Sequence, residues 1–216
     1  IPAVVNVLRY TDSQTTMVFC ATREMVRHMQ AALVERGFSS VALSGELGQN
    51  ERTRAIDSLR KGQANVCVAT DVAARGIDIP ALALVVHATL PTDPATLLHR
   101  SGRTGRAGRK GVCVLMVPMS QRRRAERLMQ GAKITATWSG VPTAAEIRAS
   151  DARRLLADPV LNQDVAEADN ELVGQLVEGR SSEQLAAALL QMYRARLPAP
   201  ENVRHITPDA PRPVRE

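Results

Sequence analysis

The segment Asn65-Val-Cys-Val-Ala-Thr-Asp71 determines how the rest of the chain is interpreted. Its apolar run, Val66–Ala69, is followed at once by the polar residues Thr70 and Asp71. A continuous apolar run of this kind is typical of a strand that is buried on both faces. Threonine is a favourable N-cap residue, so a short helix is expected to begin directly after Thr70. The segment therefore predicts a strand-to-helix turn of an α/β sheet.

The same alternation of strand and helix runs through the first part of the chain. Further apolar runs are Met17–Cys20, Val41–Leu43, Leu82–His87 and Val112–Val117, and the amphipathic segments are Arg23–Arg36, Gln49–Lys61, Pro94–Ser101 and Gln121–Gln130. Apolar strands that alternate with helices predict an α/β fold in which a parallel sheet carries helices on both faces. The loops at the carboxyl ends of the strands would form the functional edge of this sheet.

Composition limits the class of protein and of partner. The chain has 216 residues, 44% of them hydrophobic, which suffices for one sizeable core and a smaller second unit. Only 2% of the residues are aromatic, so stacking of RNA bases on an aromatic platform is not expected. The formal net charge of +6 is compatible with a nucleic-acid partner without requiring one.

The cysteines indicate a reducing compartment. Cys20, Cys67 and Cys113 all fall in predicted strands, and their number is odd. We therefore expect buried, reduced thiols in a cytoplasmic protein, and neither a metal site nor a catalytic thiol. No apolar run reaches the length of about 18 residues that a transmembrane helix needs. The chain starts at Ile1 without a signal-peptide pattern, and we expect it to be part of a longer protein.

The segment His99-Arg-Ser-Gly-Arg-Thr-Gly-Arg-Ala-Gly-Arg109 indicates an anion-binding function, because it holds four arginines and three glycines. Arginine can pair with phosphate through two hydrogen bonds, and glycine lets the backbone approach closely. Arg100, Arg103 and Arg106 recur at every third residue, so their side chains can converge on one polyphosphate. A solvated basic loop is the alternative that the segment alone leaves open.

The sequence changes character beyond residue 132. From Pro142 to Gly179 there are eight acidic residues and three basic ones, which disfavours a phosphate-binding surface. Leucines and valines recur at helical spacing between residues 155 and 190 and predict three helices in a small bundle. These helices could pack on the main domain, on each other or on a second copy of the chain. After Pro198 the chain is rich in proline, and no regular structure is expected.

Two long motifs carry a family resemblance. His99–Arg106, with the pattern His-Arg-x-Gly-Arg-Thr-Gly-Arg, resembles motif VI of DEAD-box RNA helicases. Ala69–Asp78, Ala-Thr-Asp-Val-Ala-Ala-Arg-Gly-Ile-Asp, resembles their motif V, while Val18–Arg23 is similar to motif IV and Gln49–Arg52 to motif IVa. The resemblance implies that residues 1–131 form the second, C-terminal, of two RecA-like domains.

The rest of the chain resembles the dimerising region of DeaD-type, cold-shock-associated bacterial members of that family. This resemblance implies a small all-α appendage over residues 132–197, a homodimer formed through residues 142–197, and a Pro-rich tail over residues 198–216.

For the nucleotide, the DEAD-box resemblance implies that Arg103 and Arg106 are arginine fingers. They would reach ATP that is held, with Mg²⁺, mainly by the N-terminal domain, where a guanidinium offsets charge developing on the phosphoryl oxygens. Asp78 would bond the ribose, and Gly76 would let the backbone approach the nucleotide. We expect both fingers to be exposed. A structural ion pair or cap is the alternative for each of these residues.

The resemblance also implies contacts with the N-terminal domain, through His99 and Arg100, and with RNA. A structural ion pair or cap is again the alternative for His99 and Arg100. The residues that match RNA-backbone contacts of the family are Thr22, Gly45, Gln49, Arg52 and Thr70. Such contacts position a strand without reading its bases. Two of them, Gln49 and Arg52, could instead form an exposed helix face, and Thr70 could act only as an N-cap. Asp71 and Arg75 are expected to pair across one helical turn.

Some positions depart from the family pattern. Leu97 stands where the family often has Tyr, Ser101 replaces a usual aliphatic residue, and Ser44 stands where His or Asn is common. None of the three removes a charged catalytic position. A larger departure is that the sequence contains neither Gly-x-x-x-x-Gly-Lys-Ser/Thr nor Asp-Glu-Ala-Asp, which hold phosphate and Mg²⁺ in such enzymes.

The sequence thus predicts the C-terminal half of an ATP-dependent RNA helicase that unwinds short duplexes locally and is inactive as an ATPase alone. The alternative is a non-catalytic homodimerisation and RNA-tethering module. Its basic surface would consist of Arg109, Lys110, Arg122, Arg123, Arg124 and Arg127. A DNA-directed helicase of superfamily 2 is disfavoured, because those relatives often carry Gln where His99 stands.

Overall fold

The structure, a computed structural model, describes residues 1–75, 77, 82–105 and 110–204. The strands of this part of the chain are β1 (Thr16–Phe19), β2 (Ser40–Leu43), β3 (Val66–Ala69), β4 (Leu84–His87) and β5 (Val112–Leu115). Its α-helices are α1 (Pro2–Thr11), α2 (Arg23–Glu35), α3 (Gln49–Arg60), α4 (Asp71–Ala74), α5 (Pro94–Ser101), α6 (Arg122–Gly131), α7 (Ala144–Leu156), α8 (Asn170–Val177) and α9 (Ser182–Ala195).

The strands form one parallel sheet in the order β2-β3-β1-β4-β5. Neighbouring residues of a strand point to opposite faces, so each strand contributes to two cores. Val18 and Val86 lie in the core beneath α1 and α2, whereas Phe19 and Val85 lie in the core beneath α3 and α4. This arrangement confirms the predicted α/β fold with helices on both faces of the sheet.

Helix α1 was not predicted from the strand-helix alternation. It begins with Pro2, at a position where the backbone N–H has no partner within the helix, so proline costs nothing there. The helix ends at Thr11, and its C-cap residue Asp12 has a left-handed φ of 48°. Its apolar residues Val4, Val5 and Leu8 are buried against the sheet. Helical spacing of these three residues was the signal in the sequence for this helix.

The three cysteines are free thiols, but they differ in burial. Cys20 and Cys67 are buried as predicted, whereas Cys113 is exposed. The reason is that β5 is an edge strand of the sheet, and its first residue, Val112, is also 49% exposed. The prediction of a buried thiol was therefore wrong for Cys113.

The appendage begins with α7, which packs on α1. Ile147 is fully buried, and Arg9 Nη2 lies 2.7 Å from Asp151 Oδ2 in an ion pair whose side chains are 4% and 12% exposed. A capping box at Thr143 starts the helix, since its hydroxyl accepts from the backbone N–H of Glu146. Helix α7 is therefore held on the sheet domain by both apolar burial and charge.

The segment after Pro198 has no regular structure in residues 198–204, as predicted, yet it is anchored to α1. The amide of Asn6 donates to the carbonyl of Glu201 at 2.9 Å, and the Glu201 N–H donates back to Asn6 Oδ1 at 2.8 Å. Arg9 Nε donates to the carbonyl of Pro198 at 2.6 Å. Both α7 and this tail thus meet the same helix.

The predicted helical bundle is not formed, although its helices are. No residue of α8 or α9 is buried. Large apolar side chains on them remain exposed, namely Leu172, Leu176, Val177, Leu189 and Met192. The cause is that no apolar surface in the described part of the chain covers these positions. Among the described residues, no helix combines the length and apolarity needed to cross a membrane.

Candidate functional site

Three of the predicted RNA contacts lie at the carboxyl ends of adjacent strands. Gly45 follows β2, Thr70 follows β3 and Thr22 follows β1, and these strands are neighbours in the order β2-β3-β1. A Cβ on Gly45 would lie 3.3 Å from Nη2 of Arg23, which is closer than most side-chain contacts. The structure therefore brings these three residues to one half of the predicted functional edge.

Both threonines cap the helices that follow them. Thr22 Oγ1 accepts from the N–H of Met25 at 3.1 Å, and Thr70 Oγ1 accepts from the N–H of Ala73 at 3.4 Å. Thr22 is exposed, while Thr70 is only 8% exposed. Because a hydroxyl can donate while it accepts, capping leaves each side chain able to donate to a phosphate oxygen.

Arg52 connects α3 to the end of α4. Its Nη2 donates to the carbonyl of Ala73 at 2.8 Å and to that of Arg75 at 3.2 Å. These acceptors are neutral, so they orient the guanidinium without neutralising its charge. Gln49 lies one turn earlier, exposed at the start of the same helix. Arg52 thus belongs to the same polar edge as Thr70, and Gln49 is accessible beside it.

Arg103 is half-buried, which is less exposed than the sequence led us to expect. Its Nη1 donates to the carbonyl of Ile77 at 3.2 Å, and its Nη2 lies 3.0 Å from Nε2 of His99. Since a guanidinium can only donate, the exposed His99 accepts through Nε2 in this contact. The predicted residues Gly76, Asp78 and Arg106 lie outside the described residues.

Arg100 is buried and paired within the domain. Its Nε and Nη2 each lie 2.6 Å from an oxygen of Asp71, and its Nη1 donates to the carbonyl of Thr89 at 2.9 Å. Asp71 therefore pairs with Arg100, not with Arg75 as expected. The geometry also disfavours an outward contact by Arg100 with another domain, and leaves His99 as the exposed member of that predicted pair. No local spacing signals a pair separated by 29 residues.

Ser101, which stands where the family usually has an aliphatic residue, lies in a small polar cluster. Ser101 Oγ donates to the carbonyl of Leu97 at 2.7 Å and lies 3.2 Å from Cys113 Sγ and 3.4 Å from His87 Nε2. Burial, together with the nearby charge of Arg100, lowers the pKa of His87 to about 4, so the imidazole is neutral at physiological pH. Ser101 thus joins α5 to β4 and β5.

Leu97 and Ser44 also fit their surroundings. Leu97 is 1% exposed and packs with Ala125 and Leu128 of α6. Ser44 is 8% exposed, and its carbonyl accepts from the N–H of Leu47. Neither departure from the family pattern leaves a gap that would require a different fold.

A second group of basic side chains lies on α6. Arg123, Arg124 and Arg127 are exposed, whereas Arg122 pairs with Glu126 at 3.1 Å and lies over the ring of Trp138 at 5.0 Å from its centroid. Arg123 and Arg127 lie on the exposed side of this helix, while Arg124 donates to the carbonyl of Pro91 at 3.2 Å, beside the start of α5.

The chain is similar in sequence and in structure to known RNA helicases. The family model described as the helicase conserved C-terminal domain matches residues 1–108. The ATP-dependent RNA helicase CshA of Limosilactobacillus reuteri is 30% identical over 206 residues, which are 94% of this chain and 41% of that protein. The chain spans 20% to 26% of the length of three other curated relatives, all RNA helicases.

Two solved structures share the fold. The E. coli DEAD-box protein SrmB, bound to regulator of ribonuclease activity A, is 40% identical with a TM-score of 0.54, covering 60% of this chain and 74% of that one. S. cerevisiae Dbp5 bound to RNA and ADP BeF3 is 33% identical with a TM-score of 0.57, covering 62% and 36%. The chain therefore belongs to the helicase conserved C-terminal domain family, as the RecA-like C-terminal domain of a DEAD-box RNA helicase.

Proposed function

We propose that this chain is the C-terminal half of an ATP-dependent RNA helicase that separates short RNA duplexes locally. The observation that carries the proposal is the arrangement of Thr22, Gly45 and Thr70, which follow adjacent strands at the carboxyl edge of the sheet. Arg103 lies in the turn after α5, where its guanidinium donates to the carbonyl of Ile77. Polar donors at one edge and a positioned guanidinium in the same domain support a role with both RNA and a nucleotide.

Arg103 and Arg106 act as arginine fingers in this proposal. ATP, bound with Mg²⁺ mainly by the N-terminal domain, supplies the phosphoryl group that passes to water. The fingers stabilise negative charge that develops on that group, and Gly76 and Asp78 bind the nucleoside part. The donors of Arg103 suit an anion, because a guanidinium beside the imidazole of His99 offers N–H groups and positive charge.

RNA is held through its sugar-phosphate backbone by Thr22, Gly45, Gln49, Arg52 and Thr70. The charge on Arg52 supports this role, since its acceptors in the domain are peptide carbonyls. Closure of the two domains on ATP and RNA would bend one strand and open a short duplex. His99 would then meet the N-terminal domain.

The chain alone would not hydrolyse ATP, because its sequence lacks the motifs that hold phosphate and Mg²⁺. We also propose that the intact enzyme is cytoplasmic and of the DeaD-like, cold-shock-associated type. The similarity to CshA over 94% of the chain, appendage included, supports a bacterial enzyme with a helical extension.

Replacing the finger in the intact two-domain protein tests the catalytic proposal. Arg103→Ala should lower kcat for RNA-stimulated ATP hydrolysis about a thousandfold, because an arginine finger acts mainly in the transition state. Arg148→Ala, which removes an exposed arginine of α7, is the matched control and should hydrolyse ATP like the wild type. Unchanged hydrolysis by Arg103→Ala would refute the finger assignment.

A second candidate function, homodimerisation with RNA tethering, has separate support. The exposed fractions of Leu172 and Leu176 on α8 are 57% and 47%, and those of Leu189 and Met192 on α9 are 46% and 59%. Apolar side chains grouped in this way are typical of an interaction surface. A second copy of residues 142–197 would cover them, while the basic residues of α6 and Lys110 would hold RNA by charge.

Light scattering tests the homodimer. The wild-type chain should have the mass of a dimer, and a Leu172→Glu/Leu176→Glu variant should have the mass of a monomer, because both changes place charge in the apolar contact. The control is Glu171→Gln, which changes a neighbouring polar position. A monomeric wild-type chain at all concentrations would eliminate this candidate.

A further inference from the structure

The ion pair between Arg100 and Asp71 is built more firmly than a surface pair. Two guanidinium nitrogens each lie 2.6 Å from a different carboxylate oxygen, which is the bidentate geometry of a strong pair. The side chain of Arg100 is 3% exposed and that of Asp71 is 31% exposed. The pair is thus shielded from water on the arginine side.

Arg100 also connects α5 to the ends of three neighbouring strands. Asp71 follows β3, Thr89, whose carbonyl accepts from Arg100, follows β4, and Phe19 ends β1 with its ring 5.2 Å from the guanidinium. These strands are adjacent in the order β3-β1-β4. One side chain therefore sets where α5 lies relative to the carboxyl edge of the sheet.

Arg103 lies between this anchor and a second one. It follows Arg100 by three residues, about one helical turn. Directly after it, Thr104 forms an isolated bridge with Leu82, and its hydroxyl donates to the Leu82 carbonyl. The backbone that carries Arg103 is consequently held on both sides, and its position depends on the pair with Asp71.

The pair is weak evidence for stabilisation of the fold, because replacing a whole buried ion pair by well-packed apolar residues is often neutral or stabilising. Removing only one partner is different, since it leaves the other charge buried and unpaired and destabilises the fold. What the contacts of Arg100 specify is geometry, because they join α5 to the residues that follow β3 and β4. Fixing the geometry of the edge is therefore a better explanation of the pair than stabilising the fold.

We propose that Asp71 is a positioning residue for the arginine finger Arg103, which it holds in place by anchoring Arg100. This inference rests on the proposed function of Arg103. Asp71 itself does not contact the nucleotide. It fixes α5 so that the guanidinium of Arg103 is already aligned when the two domains close, and alignment of this kind is required for catalysis by proximity.

The experiment measures ATP hydrolysis and ATP binding by the intact two-domain protein carrying Asp71→Asn. Asparagine keeps the size of the side chain but leaves the charge of Arg100 unpaired. We expect kcat to fall about a hundredfold while KM for ATP stays within about twofold of wild type, because the finger acts in the transition state. Asp71→Glu should restore part of kcat, since the carboxylate returns.

Two controls separate positioning from folding. Asp12→Asn makes the same chemical change in an exposed pair with Arg154, at 3.5 Å, and should leave kcat unchanged. If circular dichroism shows that Asp71→Asn does not fold, kcat is measured instead on the Asp71→Asn/Arg100→Gln variant, which removes both charges of the pair. That variant should fold and show the same loss of kcat.

A double-mutant comparison identifies which proposal fails. On an Arg103→Ala background, Asp71→Asn should cause no further loss of kcat, because the finger that it positions is absent. The positioning role would be overturned if Asp71→Asn lowered kcat on the Arg103→Ala background as much as it does in the wild type. It would also be overturned if Asp71→Asn alone kept kcat within about twofold of wild type. If Arg103→Ala alone leaves kcat unchanged, the proposed finger function fails instead.

Discussion

The parallel sheet and the helices α8 and α9 carry similar apolar side chains in different surroundings. Val18 and Val86 in the sheet are fully buried, whereas Leu172 and Leu176 on α8 are 57% and 47% exposed. The central strands of the sheet lie between two layers of helices, whereas no layer within the described ranges covers α8. The comparison teaches that an apolar pattern identifies which face of an element avoids water, while the rest of the chain decides whether that face is covered.

The largest difference should come from truncation to alanine of one apolar side chain in each region. Phe19→Ala should lower the free energy of unfolding by about 4 kcal/mol, since Phe19 is 1% exposed in a close-packed core. Leu176→Ala should change it by less than about 0.5 kcal/mol in a monomer. Urea unfolding measures both. An equal loss for Leu176→Ala would mean that α8 is covered in solution, as the homodimer proposal requires.

The helix that joins the two regions gives the next test. Asp151→Asn should destabilise the chain by about 3 kcal/mol, because it leaves the buried charge of Arg9 without a carboxylate. Asp158→Asn, at an exposed position after α7, is the matched control. The melting temperature of each variant measures the effect. If Asp151→Asn melts like the control, α7 is as loosely attached as α8.

Acid should weaken the sheet domain through His87. Its pKa of about 4 in the folded chain lies below the ordinary value of 6.5, so the unfolded state binds a proton first as pH falls. Stability is therefore present above pH 6.5 and is lost between about pH 6.5 and pH 4, by about 3 kcal/mol. The groups that face His87 are Arg100, Asp71 and Cys113.

Denaturant unfolding at several pH values checks this prediction. His87→Gln should abolish most of the pH dependence in that window, while His28→Gln, at an exposed position, should behave like the wild type. Three of the four histidines, His28, His87 and His99, lie in the sheet domain, and His205 lies in the tail. A loss of stability that His87→Gln abolishes therefore arises in the sheet domain. A His87→Gln variant with the wild-type pH profile would contradict the assignment.

The smallest effect is expected at a helix cap of the exposed region. Ser181 Oγ accepts from the N–H of Gln184 at 3.3 Å, and Ser181→Ala should weaken α9 by about 1 kcal/mol. Because α9 buries no residue, the far-UV helical signal should fall while the melting temperature stays constant. The same change at Thr143, which caps α7, should lower the melting temperature. Equal shifts in melting temperature for Ser181→Ala and Thr143→Ala would contradict the distinction between the exposed α9 and the packed α7.

Sequence reasoning succeeded where local patterns determine structure. The apolar runs located the strands, and Thr22 and Thr70 cap helices as expected, because these features depend on neighbouring residues. It failed for the pairing of Asp71 with Arg100 and for the exposure of Cys113. Both depend on the order of strands in the sheet, which brings distant residues together and makes β5 an edge.

The candidate site was predicted by resemblance more than by chemistry. Thr22, Gly45 and Thr70 lie at one edge, as expected for a parallel sheet, while Arg103 lies in the turn after α5 and contacts the carbonyl of Ile77. The burial of Arg100 was not predictable, because arginine in a Gly-rich segment has the same local sequence signal whether it faces solvent or a carboxylate. The prediction of a helical bundle failed for a related reason, since helical periodicity does not specify which surface covers the apolar face of a helix.

The anchoring of both α7 and Glu201 on α1 makes residues 157–197 a loop with two fixed ends. A loop attached twice cannot swing freely about one hinge, and it has less orientational freedom to lose when it binds. Any protein that docks on α8 and α9 would therefore be carried in step with the RecA-like domain.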